Sequence, residues 1–60
     1  MLGIHRIEVD WDDKPRYEGA SEYLADLVKA DCMQEASRRR GGTVTTFWNG
    51  EEVGSETLIP

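Results

Sequence analysis

The chain has 60 residues, of which 38% are hydrophobic and 32% are charged, and its formal net charge is −5. A chain of this length buries only about 60% of the surface that its unfolded form exposes, so its core alone contributes little stability. One cysteine excludes an internal disulfide, and one cysteine with one histidine excludes a four-ligand zinc site. We therefore expect a single domain over residues 1–60, stabilised by self-association and without a metal or other cofactor.

The first predicted element is a strand over residues 4–11. Ile7, Val9 and Trp11 alternate with charged side chains, which is the period of two that a half-buried strand shows. Neither this segment nor a later one contains the continuous apolar run that a secretory signal or a membrane span requires. We therefore expect a cytoplasmic protein that is not associated with a membrane.

A loop is predicted over residues 12–19, where Pro15 disfavours helix at the preceding residue. Three acids, Asp10, Asp12 and Asp13, lie at its start. Their carboxylates would suit Ca²⁺, but basic residues occupy the next alternating positions, where an EF-hand loop needs oxygen ligands. The acids are therefore predicted to form a solvated turn that contacts a basic partner.

A helix is predicted from Ala20 or Ser21 to Arg39. The Ser21 hydroxyl can accept a backbone N–H at the helix start, and Gly41 with Gly42 can supply the left-handed stop. Cations suit the negative end of the helix dipole, and this end carries Arg38, Arg39 and Arg40.

This helix has apolar residues on two sides. One stripe has the helical period, and we expect it to face the sheet; it contains Ala20, Tyr23, Leu24, Leu27 and Val28. Further along, the apolar residues lie on the other side, and these are Cys32, Met33 and Ala36. Either the helix is continuous and buries this second side against a partner, or it kinks near Ala30 and Asp31.

Two strands follow, over residues 43–48 and 51–59, and Asn49-Gly50 predicts a type I′ turn between them. The two-residue turn sets a register that pairs Trp48 with Glu51, Phe47 with Glu52, Thr46 with Val53 and Val44 with Ser55. In this register Phe47 faces away from the helix, whereas the helix-facing residues are Val44, Thr46, Trp48 and Val53.

Together these elements predict an α+β fold with the order β-α-β-β. The sheet is expected to have three antiparallel strands in the order 1-3-2, with the first strand beside the last and one helix on one face. The other face, which carries Phe47, is left to solvent or to another molecule.

Charge distribution guides the functional prediction. Residues 8–35 hold nine acids and three bases, and such a surface repels a phosphate backbone but attracts a basic protein. No titratable pair suited to acid–base or nucleophilic catalysis is evident, so we expect no enzymatic activity. We predict an interaction module that forms a homodimer and acts as an inhibitor or adaptor on a basic, nucleic-acid-binding protein. An acidic inhibitor of the kind that phages encode is one concrete form.

Partner contacts are predicted at the outer sheet face, at the Met33 side of the helix and at the acidic turn, that is, at Phe47, Met33, Cys32, Ala36, Asp10, Asp12 and Asp13. Two other function classes remain open. A nucleic-acid-binding regulator would use Arg38, Arg39 and Arg40 together with Arg6. A small-molecule binder formed in the oligomer would stack a planar ligand on Trp11 or Trp48.

Overall fold

The computed structural model describes residues 3–59. Its elements in chain order are β1 (His5–Val9), β2 (Tyr17–Gly19), α1 (Glu22–Arg39), β3 (Gly42–Trp48) and β4 (Glu51–Leu58). The strands form an antiparallel sheet in the order β2-β1-β3-β4, and α1 packs on one face, mainly across β1 and β3. The predicted α+β class, with one helix on an antiparallel sheet, is confirmed. The prediction of three strands in the order 1-3-2 is wrong in both the number and the order of strands.

The additional strand, β2, lies within the predicted loop. Tyr17 pairs with Ile7 and Gly19 pairs with His5, and the Arg16 N–H donates to the Ile7 carbonyl at 2.8 Å. The three-residue strand is too short to show an alternating pattern, so its sequence carries no recognisable strand signal.

The predicted strand order places the wrong hairpin strand beside β1. Strand β3 occupies this position, with Val9 opposite Val44 and Ile7 opposite Thr46. Strand β3 contains the fully buried Val44, whereas β4 is rich in glutamate. A charged strand is suited to the edge of a sheet and an apolar one to its centre, which explains the order.

The Asn49-Gly50 turn is confirmed, because both residues have positive φ, 51° and 86°. The predicted pairs Trp48–Glu51 and Phe47–Glu52 are also confirmed. Beyond them a bulge at Val53 shifts the register, so that Thr46 pairs with Gly54 and Val44 pairs with Glu56. The predicted partners of these two residues, Val53 and Ser55, are therefore wrong. Because of the shift, Glu56 lies on the helix side of the sheet, where Lys29 Nζ contacts its carboxylate at 2.8 Å.

Helix α1 runs through Ala30 and Asp31 without a break, as one of the two alternatives predicted, but its second apolar side packs on the sheet instead of on a partner. Ser21 caps its start as predicted, and the Leu24 N–H donates to Ser21 Oγ at 3.1 Å. At its end the left-handed residue is Arg40, with φ of 66°, rather than one of the predicted glycines. Gly42 has a different role, because a Cβ atom there would lie 2.4 Å from the Trp11 ring.

The core forms between small residues of the helix and larger residues of the sheet. Ala25, Cys32 and Ala36 are the buried residues of α1, and the sheet contributes Ile7, Val9 and Val44. The prediction that Tyr23, Leu24 and Leu27 face the sheet is therefore wrong. Small side chains let the helix backbone approach the sheet closely, so the bulkier stripe remains on the outside.

Candidate protein-binding surface

Three large apolar side chains lie exposed on the N-terminal half of α1. Tyr23 is 71% exposed, Leu24 is 46% exposed and Leu27 is 50% exposed. They occupy adjacent turns of the helix, with the exposed Ala30 after them. We call these four residues the outer helix face. Clustered apolar side chains of this size on a surface are characteristic of sites that bind another molecule.

Three carboxylates border the outer helix face. Glu22 and Asp26 lie one turn apart along one side of it, and Asp31 follows Leu27 by one turn. All three are exposed, and none takes part in an ion pair within residues 3–59. The nearby Lys29 does not neutralise them, because its ammonium group contacts Glu56 on β4.

A cleft of about 420 Å³ opens between the N-terminal half of α1 and the β3–β4 hairpin. Its walls combine an indole, two carboxylates, an imidazole and small or apolar groups, and the lining residues are His5, Glu22, Ala25, Asp26, Thr46, Trp48 and Val53. Glu22 and Asp26 thus belong both to this cleft and to the border of the outer helix face. The two features form one continuous surface.

Trp48 is held at the cleft by the segment that precedes β1. The Asn49 N–H donates to the Ile4 carbonyl and the Ile4 N–H donates to Asn49 Oδ1, both at 2.9 Å. Gly3 lies directly against the indole, and the His5 ring is 4.5 Å from it between centroids. Trp48 nevertheless remains 41% exposed.

At the other end of the molecule, Trp11 is enclosed by polar partners. Its Nε1–H donates to Glu35 Oε2 at 2.9 Å, and Arg16 Nη1 donates to Glu35 Oε1 at 2.8 Å. The guanidinium groups of Arg16 and Arg39 lie 5.8 Å and 4.8 Å from the Trp11 ring. The hydrogen bond from Arg16, followed by that from Trp11, holds the pKa of Glu35 below its ordinary value. At this end Arg16 and Glu35 are therefore paired with each other.

The acidic turn that was predicted to contact a partner makes hydrogen bonds within the molecule. Asp10 Oδ1 accepts the Thr43 N–H at 3.0 Å, and Asp12 Oδ1 accepts the Lys14 N–H at 3.2 Å. Asp13 is exposed. Within residues 3–59, no three side chains of the metal-binding types come together.

The other predicted partner residues are mostly covered. Cys32 and Ala36 are buried against the sheet, and Met33 packs beside the core. Burial raises the pKa of the Cys32 thiol. Phe47 does face away from the helix, but the Arg6 guanidinium lies 4.3 Å from its ring.

The arginines of the alternative nucleic-acid site differ in what they contact. Arg39 lies over Trp11, and Arg40 adopts the left-handed helix cap. Arg6 contacts Phe47 and Glu8 on the outer sheet face. Arg38 and Arg40 are exposed, and within residues 3–59 neither side chain takes part in an ion pair or lies over an aromatic ring.

Neither the outer helix face nor the cleft was predicted as a site from the sequence. A signal was present, since the helix carries apolar residues on two sides and only one side can face a single sheet. The cleft had no signal, because the register shift at Val53 and the position of the hairpin against α1 depend on tertiary packing.

Comparison with known protein families, curated proteins and solved structures finds no match. Helix α1, the helix of the described residues 3–59, is not apolar enough to cross a membrane.

Proposed function

We propose that this protein is an acidic interaction module that binds a basic protein through the outer helix face. The observation that carries the proposal is the exposure of Tyr23, Leu24 and Leu27 on one side of a helix whose other side already packs on the sheet. Apolar helix faces of this kind bind apolar grooves or partner helices, and the residues one turn apart act as anchors.

The charge of the partner is inferred from the border of the face. Glu22, Asp26 and Asp31 are exposed carboxylates without an ion pair within residues 3–59. Basic residues around an apolar patch on the partner would complement them, and such complementarity favours both encounter and specificity. An inhibitor that covers the basic groove of a nucleic-acid-binding protein is one form of this function.

A second copy of the chain is a less suitable occupant of the same face. Pairing that overlays Tyr23 and Leu27 of two molecules would also bring their bordering acids together, and like charges in an interface oppose association. The homodimer predicted from the length of the chain therefore stays a prediction, with no support from this face.

A synthetic amphipathic peptide of leucine and lysine tests the proposal, with a leucine–glutamate peptide as the charge-reversed control. Calorimetric titration is expected to show binding of the lysine peptide alone. Leu27→Gln should weaken it by roughly tenfold or more, because burying one leucine contributes about 1.5–3 kcal/mol. Ile59→Gln is the matched control, since Ile59 is an exposed apolar residue outside the face.

Two results would contradict the proposal. One is equal weakening by Leu27→Gln and Ile59→Gln, which would mean that the peptide adheres without using this face. The other is sedimentation of the wild-type chain as a dimer that Leu27→Gln dissociates, which would make a second copy the occupant.

A further inference from the structure

We propose that the cleft between α1 and the β3–β4 hairpin binds an arginine side chain of the basic partner. This inference rests on the proposed function and specifies the chemistry of one of its contacts. The cleft has a volume of about 420 Å³, which leaves room for a long side chain to enter beside Trp48 and Val53.

The lining of the cleft suits a guanidinium group in particular. Trp48 is 41% exposed, and a planar guanidinium stacks on an indole ring better than a compact ammonium does. Glu22 and Asp26 lie one helical turn apart on the same side of α1 and both line the cleft. Their carboxylates can accept the diverging N–H groups of one guanidinium.

The same molecule contains an occupied example of this arrangement. Around Trp11, the Arg16 guanidinium lies over the indole and donates to the Glu35 carboxylate, with Arg39 over the same ring. Phe47 likewise has the Arg6 guanidinium over it. Within residues 3–59, Trp48 has no guanidinium over it, although two carboxylates line its cleft. The missing cation is the component that a partner would supply.

The cleft is also pre-organised. The reciprocal hydrogen bonds between Ile4 and Asn49 hold the hairpin tip, and Gly3 supports the Trp48 ring. A hairpin tip whose backbone is already held loses little conformational freedom on binding. Glu22 and Asp26 also border the outer helix face, so a partner seated on Tyr23 and Leu27 can extend an arginine into the cleft without a second docking site.

The test uses N-acetyl-arginine amide as the probe and follows the two indole N–H signals of the ¹⁵N-labelled protein by NMR at constant ionic strength. A stacked cation with two exposed ion pairs predicts a saturable shift of the Trp48 signal with a Kd on the order of 10 mM. The Trp11 signal should stay in place, because that ring is already occupied. N-acetyl-citrulline amide, which has the same shape without the charge, should give no saturable shift.

Charge-removing variants complete the test. The double variant Glu22→Gln/Asp26→Asn should weaken binding by roughly fivefold or more, because it removes both acceptor charges. Its matched control is Glu52→Gln/Asp13→Asn, which makes the same two kinds of change at exposed residues outside the cleft. Circular dichroism of both variants verifies that the fold is retained.

Three outcomes would overturn the arginine site: no Trp48 shift at about 100 mM probe, which is ten times the expected Kd; the same shift with citrulline; or the same weakening in the control variant. None of these affects the proposed function, which depends on Leu27 and the leucine–lysine peptide. If that peptide binds through Leu27 while the arginine probe fails, the function stands and the cleft assignment falls. If the probe binds while the peptide fails, the cleft is a cation site and the helix face is not an interface.

Discussion

The two tryptophans occupy opposite situations in the same small molecule. Trp11 lies against Gly42 and has Glu35, Arg16 and Arg39 as polar partners, so aromatic, anion and cation are all supplied by the chain. Trp48 lies at the mouth of a cleft with two carboxylates and without a guanidinium among the described residues.

This difference distinguishes the structural role of Trp11 from the binding role that we propose for Trp48. At the Trp11 end, the hydrogen bonds and ion pairs connect the β1–β2 loop to the last turns of α1, and they stabilise the fold. At the Trp48 end, Glu22 and Asp26 have no ion pair within residues 3–59, so their interactions are available to another molecule. Removing each tryptophan should therefore affect different measurements.

The largest expected difference is between Trp11→Ala and Trp48→Ala in the free energy of unfolding. Trp11→Ala should cost about 3 kcal/mol, because it removes a packed ring together with the hydrogen bond to Glu35. Trp48→Ala should cost about 1 kcal/mol, since much of that ring is exposed. Urea unfolding followed by circular dichroism measures both. Equal losses would show that the Trp48 end is also structural.

The two glycines beneath the rings sharpen the comparison. A Cβ at Gly42 would lie 2.4 Å from the Trp11 ring, and φ there is 141°, so Gly42→Ala meets both a clash and backbone strain. We expect a loss of about 2 kcal/mol in the free energy of unfolding.

Gly3→Ala is the matched variant at the other end, where a Cβ would lie 2.0 Å from the Trp48 ring. The exposed ring can move aside, so stability should fall by less than about 1 kcal/mol. The displacement should instead appear as a change in the Trp48 indole NMR signal and as weaker binding of the arginine probe. A loss as large as that of Gly42→Ala would contradict this view of the ring as movable.

The smallest expected effect is a pH dependence of the free energy of unfolding, which arises at the Trp11 end. The pKa of Glu35 is lower in the folded than in the unfolded chain, because Arg16 and then Trp11 donate hydrogen bonds to the carboxylate. Its contribution to stability is therefore fully present above its ordinary pKa of 4.5 and is lost as the pH falls through the lower folded value.

Thermal unfolding between neutral pH and the acid range measures this dependence. Glu35→Gln should reduce the acid-induced loss of stability, and Arg16→Gln should reduce it as well by removing the principal cause of the pKa shift. An acid dependence identical to that of the wild-type chain in both variants would show that the Arg16–Glu35 contact does not contribute.

Several elements of the fold were predictable because their signals are local. Ser21 is followed by a helix that its own hydroxyl caps, and Asn49-Gly50 adopts the turn that its permissive backbone favours. The first two residue pairs of the hairpin followed from that turn. Each of these features depends on a few consecutive residues.

The candidate site was not predictable in the same way. The helix has apolar residues on two sides, and the side with the larger side chains was predicted to face the sheet. That prediction is wrong, because close packing on this sheet requires the small side chains of Ala25, Cys32 and Ala36. The predicted partner contacts on the Cys32 side followed from that error. The cleft additionally required the bulge at Val53 and the contact of Gly3 with Trp48, which join distant parts of the chain.

The sequence by itself determined where the helix starts, where the hairpin turns, the acidic charge and the α+β class, since propensity, capping and charge act within a few residues. Only the tertiary structure decided that β3 is central, that Tyr17–Gly19 forms a strand and that Tyr23, Leu24 and Leu27 lie outside. The physical reason is that burial is a competition among all apolar groups of the chain for one small core, and its outcome depends on shape as well as on hydrophobicity.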